Sequence, residues 1–443
     1  MTYLSQFDEV IPRIGTNSEK WDGAEELFGR KNIIPMWVAD MDFRAPQPVL
    51  DAFQRQIDHG IFGYSTKSAA LVEAIIDWNK EQHQFEIDPS TLFFNGAVVP
   101  TISLAIRSLT NEGDAVLMVS PIYPPFFNVT KATERKVVMS PLIYENRQYR
   151  MDFNDLEKRM KEEKVKLFLL CNPQNPGGRC FTKEELVELA KLCEKYQIPI
   201  VSDEIHADLV MKNHKHVPMM VAAPFYQDQI ITLMAATKTF NLAAIKASYY
   251  IITNKDYQAK FAAEQKYATT NGLNVFGIVG TEAAYRHGVP WLKELKEYIY
   301  SNYEYVKAAL EKEVPEVGVT DLEATYLMWL DCRALPKDEK TIYADLIEAG
   351  VGVQMGSGFG HSGKGFVRLN IACPKETLEK GETSDSRLKK IVYSGKLSSK
   401  YLVSFFRKLN IALVYYSLES EIMFIFRLHK FKGVGITDVF RAS

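Results

Sequence analysis

Near-continuous apolar runs, each closed by a polar or small-residue turn, recur through the middle of the chain and restrict its fold more than any other feature. They are DAVLMVS (114–120), VKLFLLC (165–171), IPIVS (198–202), IITLM (230–234) and ASYYII (247–252). A strand with one wet face alternates apolar and polar residues, whereas unbroken apolar strands suit a mainly parallel sheet covered on both faces. Between the second and third runs lies TKEELVELAKLCEKY (182–196). Thr182 is its expected N-cap, Glu185 closes a capping box, and Leu186, Leu189, Ala190 and Cys193 recur at helical spacing. The three segments read as a βαβ unit within an α/β fold.

Around this centre the pattern changes. The first 45 residues are rich in turns but hold IIPMWVADMDF (33–43), which is expected to be ordered. From Pro46, Val49, Phe53 and Ile57 predict one apolar helical face, and Leu71, Ile75 and Trp78 predict another after Ser68. After Gly280 the stretch WLKELKEYIYSNYEYVKAALEKEV (291–314) is helical by the spacing of Leu292, Leu295, Ile299 and Val306. Short strands TYLMWLDC (325–332) and GFVRLNIAC (365–373) follow. We read residues 1–45 as a segment serving the small domain and the site, 46–285 as a large domain and 286–380 as a smaller α+β domain. The 443 residues, 47% of them apolar, leave room for both.

A net charge of -2 argues against nucleic acid as the main partner. The five cysteines, Cys171, Cys180, Cys193, Cys332 and Cys373, show no paired spacing, and the N-terminus has no signal-like apolar run. No apolar run approaches the roughly 18 residues of a membrane span. A cytoplasmic protein without membrane attachment is expected.

Polar signals collect where the strands end, the place where open α/β sheets bind ligands. NPQNPGG (172–178) presents the Asn175 amide on a turn. SDEIHADL (202–209) puts Asp203 at a strand end, able to pair with a protonated ring nitrogen, with His206 in reach of the same ligand. Asp203 with Glu204, or His206 with His214 and His216, has no metal-ligand spacing, so no metal is expected. Lys238, just after IITLM, is placed to form a Schiff base and carry protons. Lys246 adds a second cation, and NGAVVPTISLAIRSL (95–109) runs from small residues into a helix whose free N–H groups can take an anion. Tyr123, in SPIYPPF (120–126), offers a flat ring. A phosphate cradle, an acid for a pyridine nitrogen, an amide for a phenolic oxygen and an amine for an aldehyde are the handles of pyridoxal phosphate.

These residues, with RIGTNSEKWD (13–22), PMWVADMDF (35–43), FGYS (62–65), TKTFNLAAIKAS (237–248) and GFVRLNIACP (365–374), give the chain a resemblance over about residues 1 to 380. It resembles the fold-type I pyridoxal-phosphate enzymes, on the branch of the class I/II aminotransferase family that holds the MalY/PatB-like cystathionine β-lyases. The resemblance implies a large domain with a mainly parallel seven-stranded sheet plus a small α+β domain. It makes Lys238 the cofactor-linked lysine, Asp203 the partner of the ring nitrogen, Asn175 that of the ring oxygen, and Tyr123 the stacking ring. It makes Gly96, Ala97 and Val98 backbone donors to the phosphate, aided by Thr237 and Lys246. Arg368 becomes the clamp on the substrate carboxylate, assisted by backbone around Ala39. Tyr64 is expected to reach the cofactor phosphate of a partner subunit, which implies a homodimer.

The chain departs from related enzymes at Ala235, where a serine is common, and at His206, where aminotransferases carry tyrosine. The implied activity is β-elimination from L-cystathionine or a related cysteine conjugate to a thiol, pyruvate and ammonia, a reaction of sulfur amino-acid metabolism. Aminotransfer shares the first step, and a weakly catalytic regulatory protein on the same scaffold is a third class, against which intact Lys238, Asp203, Asn175 and Arg368 argue. Beyond Gly381 the family pattern gives way to an atypical tail, 381–443, rich in clustered aromatics and expected to promote aggregation.

Overall fold

The apolar runs become the centre of a seven-stranded sheet in the computed structural model, which describes residues 4–270 and 272–379. The expectations for 381–443 concern residues outside that range. The strands are β1 (Leu92–Asn95), β2 (Ala115–Ser120), β3 (Lys136–Pro141), β4 (Leu167–Cys171), β5 (Ile200–Asp203), β6 (Ile230–Met234) and β7 (Ser248–Ile252). They lie in the order β1-β7-β6-β5-β4-β2-β3. From β3 to β6 every pairing is parallel.

Every residue of β2, β4, β5, β6 and β7 is buried. The period of two explains the unbroken apolar runs: successive side chains enter different cores. Val116, Met118, Leu169 and Val201 pack on one face, and Leu117, Val119, Leu170 and Ile200 on the other. Strand β7 runs antiparallel to both β6 and β1. Its connection from β6 holds only short helical turns, Ala236–Thr239 and Ala243–Ile245. An antiparallel return accommodates so compact a link, whereas a parallel one needs a full crossover.

Helix Lys183–Tyr196 forms as the spacing predicts, with both capping-box bonds of Thr182 and Glu185 present and Leu186, Leu189, Ala190 and Cys193 buried. Helix Ala69–His83 starts where Ser68 Oγ accepts from the Leu71 N–H at 3.0 Å. Helix Gln47–His59 forms with the expected apolar face, which is buried at one end only. Val49 is buried, but Ile57 is 53% exposed and leads into exposed Ile61, Phe62 and Tyr64. That face serves the core at one end and opens an apolar surface at the other.

Strands β8 (Gly318–Val319), β9 (Leu327–Asp331), β10 (Gln354–Met355) and β11 (Phe366–Asn370) form an antiparallel sheet in the order β8-β9-β11-β10. Helix Val289–Glu313 precedes it and buries Leu292, Leu295, Ile299 and Val306. Early residues Ile34–Pro35 pair in parallel with Val351–Gly352, which draws the N-terminal segment into this half. The same segment is fixed electrostatically. Buried Asp42 accepts from Lys20 Nζ at 2.7 Å, Arg13 Nη1 at 2.6 Å and Trp21 Nε1 at 2.8 Å. Burial raises its pKa, but these donors outweigh burial and the carboxyl stays below its ordinary value. All five cysteines are free and buried. Among the described residues no helix is long and apolar enough to cross a membrane.

Candidate active site

Strands β1, β2, β4, β5 and β6 all point the same way, so their carboxyl ends deliver their loops to one edge. Register sets the spacing: Cys171 lies opposite Asp203, and Asp203 opposite Leu233. A cavity of about 180 Å³ opens at that edge. Its wall includes Ala39, Gly96, Ala97, Val98, Tyr123, Asn175, Asp203, His206, Thr237, Lys238 and Lys246. Cys171, Ile205, Ala243 and Ala247, which the sequence reading did not single out, complete much of the lining.

The loop after β4 is held by its own side chains. Asn172 Oδ1 accepts from the Phe181 N–H at 3.1 Å, Gln174 Oε1 from the Gly177 N–H at 2.7 Å, and Gln174 Nε2 donates to the Pro121 carbonyl at 2.5 Å. A Cβ on Gly177 would stand 2.7 Å from both Gln174 Oε1 and the Tyr149 ring, and Gly178 takes φ +68°. Both positions therefore require glycine. Asn175 is left facing the cavity, where its Oδ1 accepts from Arg368 Nη1 at 3.0 Å.

Arg368 stands just behind the wall on β11 and is 2% exposed. It also donates to the Trp37 carbonyl at 2.8 Å and to Gln354 Oε1. Burial pushes its pKa down to about 10, with only the phenols of Tyr123 and Tyr326 pulling it back up. Lys238 Nζ donates to the Ala39 carbonyl at 2.5 Å, and the buried Tyr326 hydroxyl donates to the same oxygen at 2.8 Å. Burial, then the Arg368 charge, lowers the Lys238 amine to about 8.

Asp203 is raised to about 7 by burial, against one hydrogen bond from the Ile205 N–H. His206 is lowered to about 3 by burial and then by the Lys238 and Arg368 charges, and its Nδ1 has no partner among the described residues. Its ring meets that of Tyr326 edge to face, centroids 6.3 Å apart. Glu204 turns away to buried His216 at 2.8 Å and to Ser202 Oγ at 2.8 Å. Among the described residues no three His, Cys, Asp or Glu side chains are grouped to hold a metal.

Opposed slopes follow for the protein without cofactor. Asp203 is raised, so its stabilising contribution is present below about pH 4 and is lost as pH rises through its folded value of about 7. His206 is depressed, so its contribution is present above about pH 6.5 and is lost as pH falls toward about 3. Asp203→Asn removes the first limb. Urea unfolding of the cofactor-free variant is expected to show stability climbing from about pH 4 to 6.5 more steeply than in the parent; parallel curves would contradict the buried, unpaired state of Asp203.

The helix after β1, Val98–Leu109, begins at Ala97 with no side-chain cap, while Asn95 Oδ1 accepts from the Gly96 N–H at 2.8 Å. Its first N–H groups thus face the cavity side by side with Thr237 and Lys246. Lys246 is exposed, at a left-handed turn with φ 47°. Ala235 starts the Lys238 turn without a side-chain cap. Tyr64 is fully exposed and does not join this chain's own cavity.

Several residues missed by sequence reasoning hold the strap from Trp37 to Phe43. Asn241 accepts from the Met41 N–H and donates to the Met41 and Phe43 carbonyls. Asn370 donates to the carbonyls of Val38 and Asp40, both at 2.6 Å. Local signals existed: Asn241 is one helical turn beyond Lys238, and Asn370 is two residues beyond Arg368 on one strand face. Tyr326 had none.

A buried acid with no ion-pair partner among the described residues, an amine of depressed basicity, an inward amide and an uncapped helix start beside Lys246 fit pyridoxal phosphate group by group. With the sheet order, they define a fold-type I pyridoxal-phosphate enzyme. The family model described as aminotransferase class I and II matches residues 31–381. Cystathionine beta-lyase PatB of Bacillus subtilis is 39% identical over 376 residues, covering 85% of this chain and 97% of that protein. Protein MalY of Escherichia coli is 33% identical, with coverage of 85% and 97%. Cystalysin from Treponema denticola, whose crystal structure contains pyridoxal 5'-phosphate, has a TM-score of 0.81 at 32% identity, covering 83% of this chain and 94% of its own. The pyridoxal-phosphate-bound C–S lyase from Staphylococcus hominis has a TM-score of 0.78 at 32% identity, with coverage of 84% and 94%. The chain belongs to the class I and II aminotransferase family, among the MalY/PatB-like C–S lyases.

Proposed function

We propose that this protein binds pyridoxal phosphate and cleaves the β C–S bond of L-cystathionine or a related cysteine conjugate, giving a thiol, pyruvate and ammonia. The observation that carries the reading is the convergence of Lys238, Asp203, Asn175 and His206 on one cavity with Arg368 directly behind it. When bound, the cofactor supplies an electron sink for bond breaking next to the amino-acid nitrogen.

The chain's own groups divide the remaining work. Asp203 would hold the ring nitrogen of the cofactor, Asn175 would offer its amide hydrogens to the ring oxygen, and Tyr123 would stack on the ring. The N–H groups of Ala97 and Val98, with Thr237 and Lys246, would hold the phosphate, while the Gly96 N–H is already given to Asn95. Arg368 exchanges neutral partners for the substrate carboxylate, assisted by backbone around Ala39. Lys238, lowered to about 8, is substantially neutral at mildly alkaline pH and takes the α proton. Burial keeps the Tyr123 phenol protonated, so it or the newly protonated Lys238 can give a proton to the departing sulfur. His206 is a neutral imidazole beside the ring site.

The exposed surface of Ile57, Ile61, Phe62 and Tyr64 supports a homodimer in which Tyr64 enters the partner's site. A cytoplasmic setting agrees with the free cysteines. The test is a single incubation of holoprotein with L-cystathionine, following thiol and pyruvate with and without a keto-acid acceptor, on material sized by light scattering. A dimer releasing stoichiometric thiol and pyruvate without acceptor is expected. Product that depends on the acceptor would make the protein an aminotransferase, and an active monomer would remove the role given to Tyr64.

A further inference from the structure

The loop that carries Asp203 and His206 continues to a third titratable group that does not line the cavity. Asp208 is buried behind it. Its Oδ2 accepts from the Thr239 hydroxyl at 2.6 Å. Its Oδ1 accepts from Trp78 Nε1 at 3.0 Å and meets His83 Nε2 at 2.7 Å. These donors come from two other segments: the turn bearing Lys238, and helix Ala69–His83.

Burial alone would raise this carboxyl, yet it sits below its ordinary value because hydrogen bonds from His83, Thr239 and Trp78 outweigh burial. An ionised carboxylate in the interior is costly unless its lone pairs are met. Here both oxygens are occupied, and neither faces the reacting groups. The Lys238 turn, in contrast, has little of its own to fix it. It spans only Ala236–Thr239 and begins at Ala235 without a side-chain cap. Threonine is also a poor interior helix former. Thr239, with no exposed surface, directs its hydroxyl across to the neighbouring loop.

We infer that Asp208 is a positioning residue for Lys238: through Thr239 it locks the lysine's turn against the loop that bears Asp203 and His206. The two halves of the site then keep one separation as the lysine changes partners. Productive geometry in such sites is held to roughly 0.5 Å. A single short charge-assisted bond between adjacent strand-end loops is suited to that tolerance.

This inference rests on the proposed function, and the test separates the two. Thr239→Val keeps the shape and removes the donor; Thr239→Ser keeps the donor and removes a methyl. In the holoprotein, Thr239→Val is expected to lower kcat about tenfold with KM within about twofold. The pH midpoint of the bound cofactor's visible band, which reports the Lys238 nitrogen, should shift, while Thr239→Ser stays with the parent in both respects. His83→Leu, which also removes a partner of Asp208 but from a ring that packs on His216 rather than on the lysine turn, should lower Tm without moving the midpoint. Asp208→Asn is read in the same way as Thr239→Val and keeps the test decisive should that variant not fold. Parent-like kcat and midpoint in Thr239→Val, or loss in Thr239→Ser equal to that in Thr239→Val, would overturn the inference and leave Asp208 a stabilising group only. A parent protein with no visible band on adding cofactor would instead defeat the proposed function itself.

Discussion

Lys238→Ala is expected to release no thiol or pyruvate from L-cystathionine above the blank, a loss in kcat of at least about 10⁴-fold. The size follows from what one side chain does in the site. It is the amine that the cofactor aldehyde needs, and, at about 8, a base matched to proton transfer near neutral pH. Lys238→Arg should fail equally, because a guanidinium keeps its charge but not the capacity to lose a proton. Collapse of the fold is not the cause to expect. The amine is half-buried on the cavity wall and its basicity is depressed by desolvation, so removing it relieves a poorly solvated cation and widens a cavity that already exists. A Tm close to the parent's, together with partial return of product on adding a small primary amine, would assign the loss to proton transfer. Retention of activity within tenfold of the parent would sink the assignment of Lys238.

Why some of this was legible in the sequence, and some not, is a matter of range. Asp203, Asn175 and Lys238 each follow an unbroken apolar run, and parallel pairing forces the carboxyl ends of such runs to one edge. A local pattern thus carried three-dimensional information. The blocks around Lys20-Trp21 and Met41-Asp42 were visible as motifs, but their junction at the Asp42 carboxylate spans some 20 residues of irregular chain and has no periodicity to reveal it. Tyr326 lies 287 residues from the carbonyl it binds, a contact that follows only from folding the N-terminal strap against the small sheet. Ile57 shows the converse limit. Helical spacing records that a face is apolar, not what covers it, and the exposed end of helix Gln47–His59 continues into Phe62 and Tyr64.

Arg368→Ala should cut kcat/KM for L-cystathionine by about two orders of magnitude, near 3 kcal/mol, mostly through KM. In the structure this guanidinium is buried against neutral acceptors, Asn175, the Trp37 carbonyl and Gln354, with its Nε unpartnered. Burial has pushed its pKa down, and no carboxylate appears among the groups that restore it. Such a cation gains most from an arriving carboxylate, since the anion replaces weak partners with a charge-assisted, fork-shaped pair. Lys at this position restores the charge but not the fork, so Arg368→Lys should recover only part of the loss. Stability should fall only modestly, because relief of an unbalanced buried charge offsets part of the cost of the cavity and of the acceptors of Asn175, Trp37 and Gln354 left unpaired. The decisive comparison uses a substrate lacking the α-carboxylate. The parent should discriminate strongly against it and Arg368→Ala scarcely at all, whereas equal discrimination by both would show that the carboxylate is read elsewhere in the cavity.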